Sequence, residues 1–229
     1  MRAPVSEIFS SIQGEGLHIG ERHIFVRFGE CNLKCENCDE WAKPSERMRV
    51  EEILEKIKVL QQKEGPHSFV ALTGGEPLCQ SEFVESLASH LIRDGFKVLL
   101  ETNGTLAVEM RFIMHLISVI SMDIKLSSVW KIDDCYDQHN AFLSVVAGHN
   151  CYIKIVVSPD TDTDEFKKYL KLIASYNSDI PVVLQAKTFE QSCCNQDMGK
   201  LLYFLQKEAL REVHEVLVLP RLHLSLGLE

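Results

Sequence analysis

HIFVRFGECNLKCENCDEW, residues 23–41, passes from an apolar segment straight into a loop that carries Cys31, Cys35 and Cys38. In HIFVRF, Ile24, Val26 and Phe28 share one face and Phe25 and Arg27 the other, the period-two pattern of a strand. The same transition recurs along the chain. SFVALT (68–73) runs into GGEP, KVLLE (97–101) into TNG, SVISMDI (118–124) into Lys125 and CYIKIVV (151–157) into Ser158, while PVVLQ (181–185) and HEVLVL (214–219) complete the set. Several of these runs are apolar at nearly every position, which suits parallel strands covered on both faces. Helical patterns lie between them: RVEEILEKIKVLQQKE, EFVESLASHLIRDG ending at Gly95, DTDEFKKYLKLIASY and DMGKLLYFLQKEAL. In the third, Asp162 stands three residues before Glu165, the spacing of a capping box. Strand and helix alternate, so the expected fold is α/β with a mainly parallel sheet. Such sheets bind ligands at the carboxyl ends of their strands, which directs attention to the residues just after each apolar run.

The chain has 229 residues, 45% of them hydrophobic, enough for one domain with a proper core over residues 1–229. There is no internal repeat and no Pro-, Gly- or Ser-rich linker. The formal net charge of −9 argues against non-specific nucleic-acid binding, which depends on Lys and Arg neutralising phosphates. No apolar run approaches the roughly 20 residues that span a bilayer. The N-terminal MRAPVSEIFSSIQGEG has Glu7 and two glycines where a signal peptide has its apolar stretch. The expectation is a cytoplasmic protein with reduced thiols, in which eight cysteines point to metal or redox chemistry rather than disulfides.

Cys31, Cys35 and Cys38 fall at i, i+4 and i+7, which is also one face of a helix. A buried helical stripe is the plainest account, but Asn32, Asn37 and the preceding Gly29 are poor helix formers. Zinc would need a fourth ligand; His18, His23 and His67 are available, yet none forms a paired motif. An iron–sulfur cluster suits three thiolates better, because a four-iron cube then keeps one iron open for a substrate or cofactor. The other strand ends add polar groups: Glu76 in GGEP, Glu101 in ETNG, Asp123 and Lys125 in DIK, Lys154 within its strand, and Gln185. Each alone reads as a polar turn or a salt bridge; together they suggest a binding site. Arg27, beside apolar neighbours, needs an anionic partner if buried: a ligand carboxylate held by the guanidinium fork, or a nearby glutamate.

The spacing CxxxCxxC in CNLKCENC, followed by GGEP at the next strand end, resembles the radical S-adenosylmethionine (SAM) superfamily. SIQGEG, FVRF, CNLKCENCD, TGGEP, ETNGT, MDIK, VLQ and a late LPRLHLSLG resemble the 7-carboxy-7-deazaguanine synthase family of the queuosine and 7-deazapurine pathway, over essentially the whole chain. The resemblance implies a shortened, modified (β/α) partial barrel of the radical SAM type. It implies conversion of 6-carboxy-5,6,7,8-tetrahydropterin to 7-carboxy-7-deazaguanine with loss of ammonia, a reductase or flavodoxin-type electron donor, and a homodimer. It implies one [4Fe–4S] cluster per subunit on Cys31, Cys35 and Cys38, in the loop 29–41. For SAM it implies Asn37, Cys38, Asp39, Gly74, Gly75, Glu76, Glu101, Asp123 and Lys125; for the pterin, Ile12, Gln13, Gly14, Glu15, Arg27, Thr73 and His223. The family carries threonine after CD, where its hydroxyl helps hold Mg²⁺; this chain has Glu40, a carboxylate that can keep the metal or displace it through a salt bridge. A second short class with CxxxCxxC, the glycyl-radical-enzyme activating enzymes, stands as the alternative, and a zinc-holding binding module as a third reading. Cys79, Cys135 and Cys151 read as core or incidental, and Cys193 and Cys194 carry no assigned role.

Overall fold

The computed structural model describes residues 1–36, 38, 43–187 and 196–228. Among the described residues nine strands form one open sheet: β1 Ala3–Ile12, β2 Arg22–Phe28, β3 Glu46–Met48, β4 Phe69–Gly74, β5 Lys97–Thr102, β6 Val119–Ile124, β7 Cys151–Val157, β8 Val182–Ala186 and β9 Val216–Val218. Their order across the sheet is β3-β1-β2-β4-β5-β6-β7-β8-β9. From β2 to β9 every pair is parallel, and β1 runs antiparallel to both β2 and β3. The seven strands read from the apolar runs are all present, with ends within two residues of the sequence reading.

The helices are α1 Val50–Glu64, α2 Ser81–Arg93, α3 Ala107–Ile113, α4 Ser127–Trp130, α5 Tyr136–Val146, α6 Thr163–Tyr176, α7 Gln196–Ala209 and α8 Leu222–Leu226. α8 lies at the 13–15 turn, where Leu222 N donates to Gly14 O, while the longer ones, α1, α2, α5, α6 and α7, pack on one face of the sheet. The larger core lies there, with Ile24, Val26, Val70, Leu72, Leu100, Met122 and Ile155 packed against Phe83, Leu87, Phe142 and Phe166. Alternate residues point the other way and build a smaller core of Phe25, Phe69, Ala71, Leu99, Val119, Tyr152 and Val183. Period two thus gives each strand an outward face for the helices and an inward face for the hollow of the sheet.

Two features depart from the sequence reading. Strands β1 and β3 are not apparent from pattern, because SEIFSSI is only half-buried and mixes polar with apolar residues without alternation. Asp162 caps α6 as expected, accepting from Asp164 N at 2.8 Å and Glu165 N at 3.0 Å. Glu165 does not reach back to complete the box. Its carboxylate accepts from Ser127 N (2.6 Å), Ser127 Oγ (2.7 Å) and Ser128 N (3.1 Å), so it caps the neighbouring α4 instead. Chain geometry at GGEP is equally constrained: Gly74 has φ +110°, and a Cβ there would overlap the backbone of Phe28 on β2. The two caps separate by experiment. Asp162→Ala is expected to lower stability by about 1 kcal/mol, and Glu165→Ala by about 2–3 kcal/mol, because it strands three donors. Urea unfolding reads both, and the reverse order would return Glu165 to a local capping role.

Candidate active site

The inward face changes character along each strand. Apolar residues fill the amino-terminal half, and a polar side chain follows at the carboxyl end: Phe25 then Arg27 on β2, Ala71 then Thr73 on β4, Leu99 then Glu101 on β5. The series continues with Val119 then Asp123 on β6, Tyr152 then Lys154 on β7, and Val183 then Gln185 on β8. Parallel register sets neighbours side by side, pairing Arg27 with Thr73 and Asp123 with Lys154. All six polar side chains line one cavity of about 700 Å³. The apolar cluster beneath them is its floor.

A chain of charges crosses this cavity. Lys154 Nζ donates to Glu15 Oε2 at 2.6 Å and lies 3.5 Å from Asp123 Oδ2. Lys125 Nζ donates to the same Asp123 oxygen at 2.9 Å, and Arg221 Nε donates to Glu15 Oε1 at 2.8 Å. Burial alone would raise the Glu15 carboxyl; the Lys154 ammonium and Arg221 guanidinium overcome it and hold the group well below the usual carboxylate range. Burial opposes the charge on Lys154, but Glu15, Asp123 and Glu101 raise its pKa well above the ordinary lysine value. Lys154 is therefore a fixed positive charge. Next to it, Glu101 accepts from Gln13 Nε2 (2.8 Å) and from Thr73 Oγ1 (2.9 Å). Gln13 Oε1 in turn accepts from Glu15 N at 3.1 Å, so the whole 13–15 turn is bolted to β5.

The cysteine loop leaves the end of β2, where Gly75 N donates to Phe28 O (2.8 Å) and Glu76 N to Glu30 O (2.7 Å). At Gly75 any side chain would strike the Glu30 carbonyl, so this approach of two backbones requires glycine. Cys31, Cys35 and Cys38 all line the cavity, and all are free thiols. Leu33 N and Asn103 Nδ2 lie 3.4 Å and 3.8 Å from Cys31 Sγ, donors suited to a ligating thiolate. Burial raises the Cys31 thiol and pushes Cys35 up to about 11, so metal must displace these protons. Their sulfurs are not among the donor groups that converge within 4.8 Å among the described residues. A single zinc ion needs such convergence, whereas an iron–sulfur cube takes each thiolate on a different iron. The donor set therefore fits a cluster.

The described site residues expected from sequence meet here with two differences. Ile12, Gln13, Gly14, Glu15, Gly74 and Gly75 line the cavity, as do Glu101, Asp123, Lys125 and His223. Glu76 does not: it is 0% exposed, and its carboxylate accepts from Leu78 N (3.1 Å), Thr102 Oγ1 (2.9 Å) and Asn103 N (2.6 Å). It braces the ETNG turn rather than facing a ligand. Arg27 lines the cavity but already has the glutamate that sequence left as one of two partners: Nη1 donates to Glu7 Oε2 at 2.7 Å, and the guanidinium sits 5.0 Å from the Phe9 ring centroid. Asn37, Asp39, Glu40, Cys193 and Cys194 lie outside the described residues.

Other participants were not singled out from sequence. His139 on α5 is held neutral, with burial bringing its pKa down to about 4, and it meets the Asn103 carbonyl at 3.0 Å. Asn103 relays that support to Asn32 at 2.9 Å in the cysteine loop. The indole of Trp130 has two ammonium groups near its ring centroid, Lys125 at 4.4 Å and Lys187 at 4.5 Å. Arg221 arrives from the far end of the chain beside His223, which was expected from sequence; Leu222 N donates to Gly14 O at 2.9 Å, and a side chain at Gly14 would overlap the His223 ring. Asp123 Oδ1, Gln185 Oε1 and Trp130 Nε1 are buried without a hydrogen-bond partner among the described residues, and all three belong to the cavity wall. Such orphans mark a surface prepared for a polar ligand.

Residues 25–128 match the Radical SAM superfamily. The chain is 33% identical to the 7-carboxy-7-deazaguanine synthase of Geobacter sulfurreducens, covering 98% of this chain and 97% of that protein. It is 34% identical to the synthase of the same name from Methanothermobacter thermautotrophicus, over 100% and 98%. Among solved structures, QueE from Escherichia coli superposes with a TM-score of 0.63 at 19% identity, covering 97% of this chain and 95% of that one. TYW1 with a lysine-pyruvate adduct gives a TM-score of 0.60 at 15% identity, over 83% and 74%. At these identities the two structural matches speak to the fold.

Glu76 offers a test of the bracing role. Burial raises its folded pKa to about 7 against an ordinary 4.5, with the hydrogen bonds from Asn103, Leu78 and Thr102 opposing. A raised acid stabilises the fold most when protonated. Its contribution is full below pH 4.5 and is lost as pH climbs toward 7, by up to about 3 kcal/mol. The stability difference between the native protein and Glu76→Gln should therefore shrink over that window in urea unfolding. A difference that is flat with pH would contradict the raised value.

Proposed function

The chain belongs to the 7-carboxy-7-deazaguanine synthase family of radical SAM enzymes, and on that premise we propose how its cavity is divided between cofactor and substrate. The reaction converts 6-carboxy-5,6,7,8-tetrahydropterin to 7-carboxy-7-deazaguanine with loss of ammonia. It uses a [4Fe–4S] cluster and SAM. When bound, these supply a 5′-deoxyadenosyl radical that takes a hydrogen atom from the substrate. The observation that carries the division is the run of polar side chains on successive strand ends, beside three free thiols in one cavity.

Cys31, Cys35 and Cys38 hold the cluster. The backbone of Gly74 and Gly75, close to that loop, faces the methionine part of SAM, with Asn37, Asp39, Asp123 and Lys125 as further contacts. Glu76 acts indirectly, by holding Thr102 and Asn103 where the cluster loop needs them. At the other end, Glu101, which the resemblance gave to SAM, is bonded to Gln13 and Thr73, and we assign all three instead to a donor–acceptor edge for the flat pterin ring. A heterocycle with an amine and a ring N–H presents donors that Glu101 can accept. Arg27 and His223 receive the carboxylate of the substrate, and Arg27 exchanges part of its bond to Glu7 for it. Lys154, fixed in its charged form, orders Glu15 and Asp123 rather than giving up a proton. The smaller core of Phe25, Phe69 and Leu99 closes the floor against water. We further propose that Glu40 keeps Mg²⁺ in place of the family's threonine, that the enzyme works as a homodimer, and that a flavodoxin-type protein delivers the electron.

Two experiments bear on this reading. Anaerobically reconstituted enzyme with SAM, reductant and the carboxytetrahydropterin is expected to form the deazaguanine, and Arg27→Lys to raise KM for the pterin at least tenfold while SAM affinity stays within twofold. Cleavage of SAM without that product would sink the substrate assignment. In the same assay the native enzyme and Glu40→Thr should both respond to Mg²⁺, with different affinities. Indifference of the native enzyme to Mg²⁺ would remove Glu40 from the metal.

A further inference from the structure

Beneath the floor of the cavity, away from the thiols, three side chains converge on one point. His18 ends a short 3₁₀ turn at Gly16–His18, Glu21 follows the Gly20 turn, and His23 lies at the start of β2 on its inward face. His18 Nδ1 is 3.0 Å from Glu21 Oε2, and His23 Nε2 is 3.4 Å from the same oxygen. One donor atom from each lies within 4.8 Å of the others. None of the three belongs to the lining of the cavity above. The rings of His18 and His23 also pack on Phe69, with centroids at 4.9 Å and 5.0 Å, which fixes both imidazoles from one side.

His23 is 0% exposed, and hydrogen bonding serves it poorly. Its Nδ1 has no partner among the described residues, and the 3.4 Å contact of Nε2 is beyond the usual range for a nitrogen donor. With the ring proton on Nδ1, Nε2 turns a lone pair toward Glu21 and His18, and the loose 3.4 Å contact leaves that nitrogen able to bind a metal. Two imidazoles and one carboxylate are a ligand set that zinc takes, at distances near 2.0–2.1 Å and with ligand atoms ~3.3 Å apart in a tetrahedron. The two contacts through Glu21 Oε2 already match that separation. Glu21 is half-exposed, so water can fill the fourth position from the solvent side.

We propose that His18, Glu21 and His23 form a structural zinc site that fastens the 13–21 loop to the start of β2. The connection to the cavity is direct. Gln13 N donates to Glu21 O at 2.7 Å, and Gly20 N donates to Gln13 O at 2.8 Å. An ion held by His18, Glu21 and His23 therefore stiffens the turn that presents Gln13, Gly14 and Glu15, without touching any of them.

Zinc itself is the probe. Cluster-loaded enzyme, equilibrated with zinc against a weak chelator, should retain about one zinc per chain by elemental analysis. Its zinc X-ray absorption should show nitrogen and oxygen neighbours near 2.0–2.1 Å and no sulfur shell near 2.3 Å. His18→Ala and Glu21→Gln, both at positions with solvent access, should each weaken zinc retention at least tenfold. Zinc should raise the Tm of the native enzyme and leave the variants unmoved. Failure to retain zinc, a sulfur shell from the cysteine loop, or unchanged retention by both folded variants each overturns the site.

Discussion

A buried ammonium on β7 is the constraint on which the cavity depends. Lys154 cannot stay charged in that position without anions, and it draws them from two distant parts of the chain: Glu15 after β1 and Asp123 on β6. Glu15 in turn draws Arg221 from the C-terminal segment, and Asp123 draws Lys125. The resulting chain of alternating charges brings both ends of the polypeptide to the mouth of an otherwise parallel sheet. It also explains why the 13–15 turn has so little freedom. Every polar group on Gln13 and Glu15 side chains is committed, either to this chain or to Glu101.

Below that level the structure rests on a simpler rule. Each parallel strand shows a continuous apolar face to the helices, and splits its other face into an apolar half and a polar tip. The apolar halves close the floor, and the tips, set in register, become the wall of the site. Glu76 and His139 work behind the wall. With Asn103, which lines the cavity itself, Glu76 and His139 join the GGEP turn, α5 and the ETNG turn into one support for the cysteine loop, and these two carry their bonds from outside the cavity lining. A side chain can thus be indispensable to a site without lining it.

Much of this was legible from residues alone. Seven strands followed from apolar runs because burial on both faces leaves a dense signal in sequence. The four long helices followed from their stripes. Strand β1 was hidden because its inward residues, Glu7 and Phe9, serve the polar rim and spoil any alternation. α5 had a readable stripe in His139, Phe142, Leu143 and Val146, which a search for longer helices passes over. Glu165 shows the limit of local rules: the spacing from Asp162 was right for a box, yet α4 offered its carboxylate three donors against one.

What the sequence determined by itself was the inventory: α/β alternation, three cysteines after a strand, glycines where backbones must touch, and a polar group near each strand end. These are properties of neighbouring residues, and period and spacing record them. Tertiary structure alone decided the partners. Arg27 could have waited for a ligand or met a glutamate, and antiparallel pairing of β1 with β2 set Glu7 opposite it. Glu76 could have faced the cavity or the core, and the approach of β5 turned it inward. Charge compensation acts across space without regard to sequence distance, so the pairing of Glu15 with Lys154 and Arg221 exists only once the sheet has assembled.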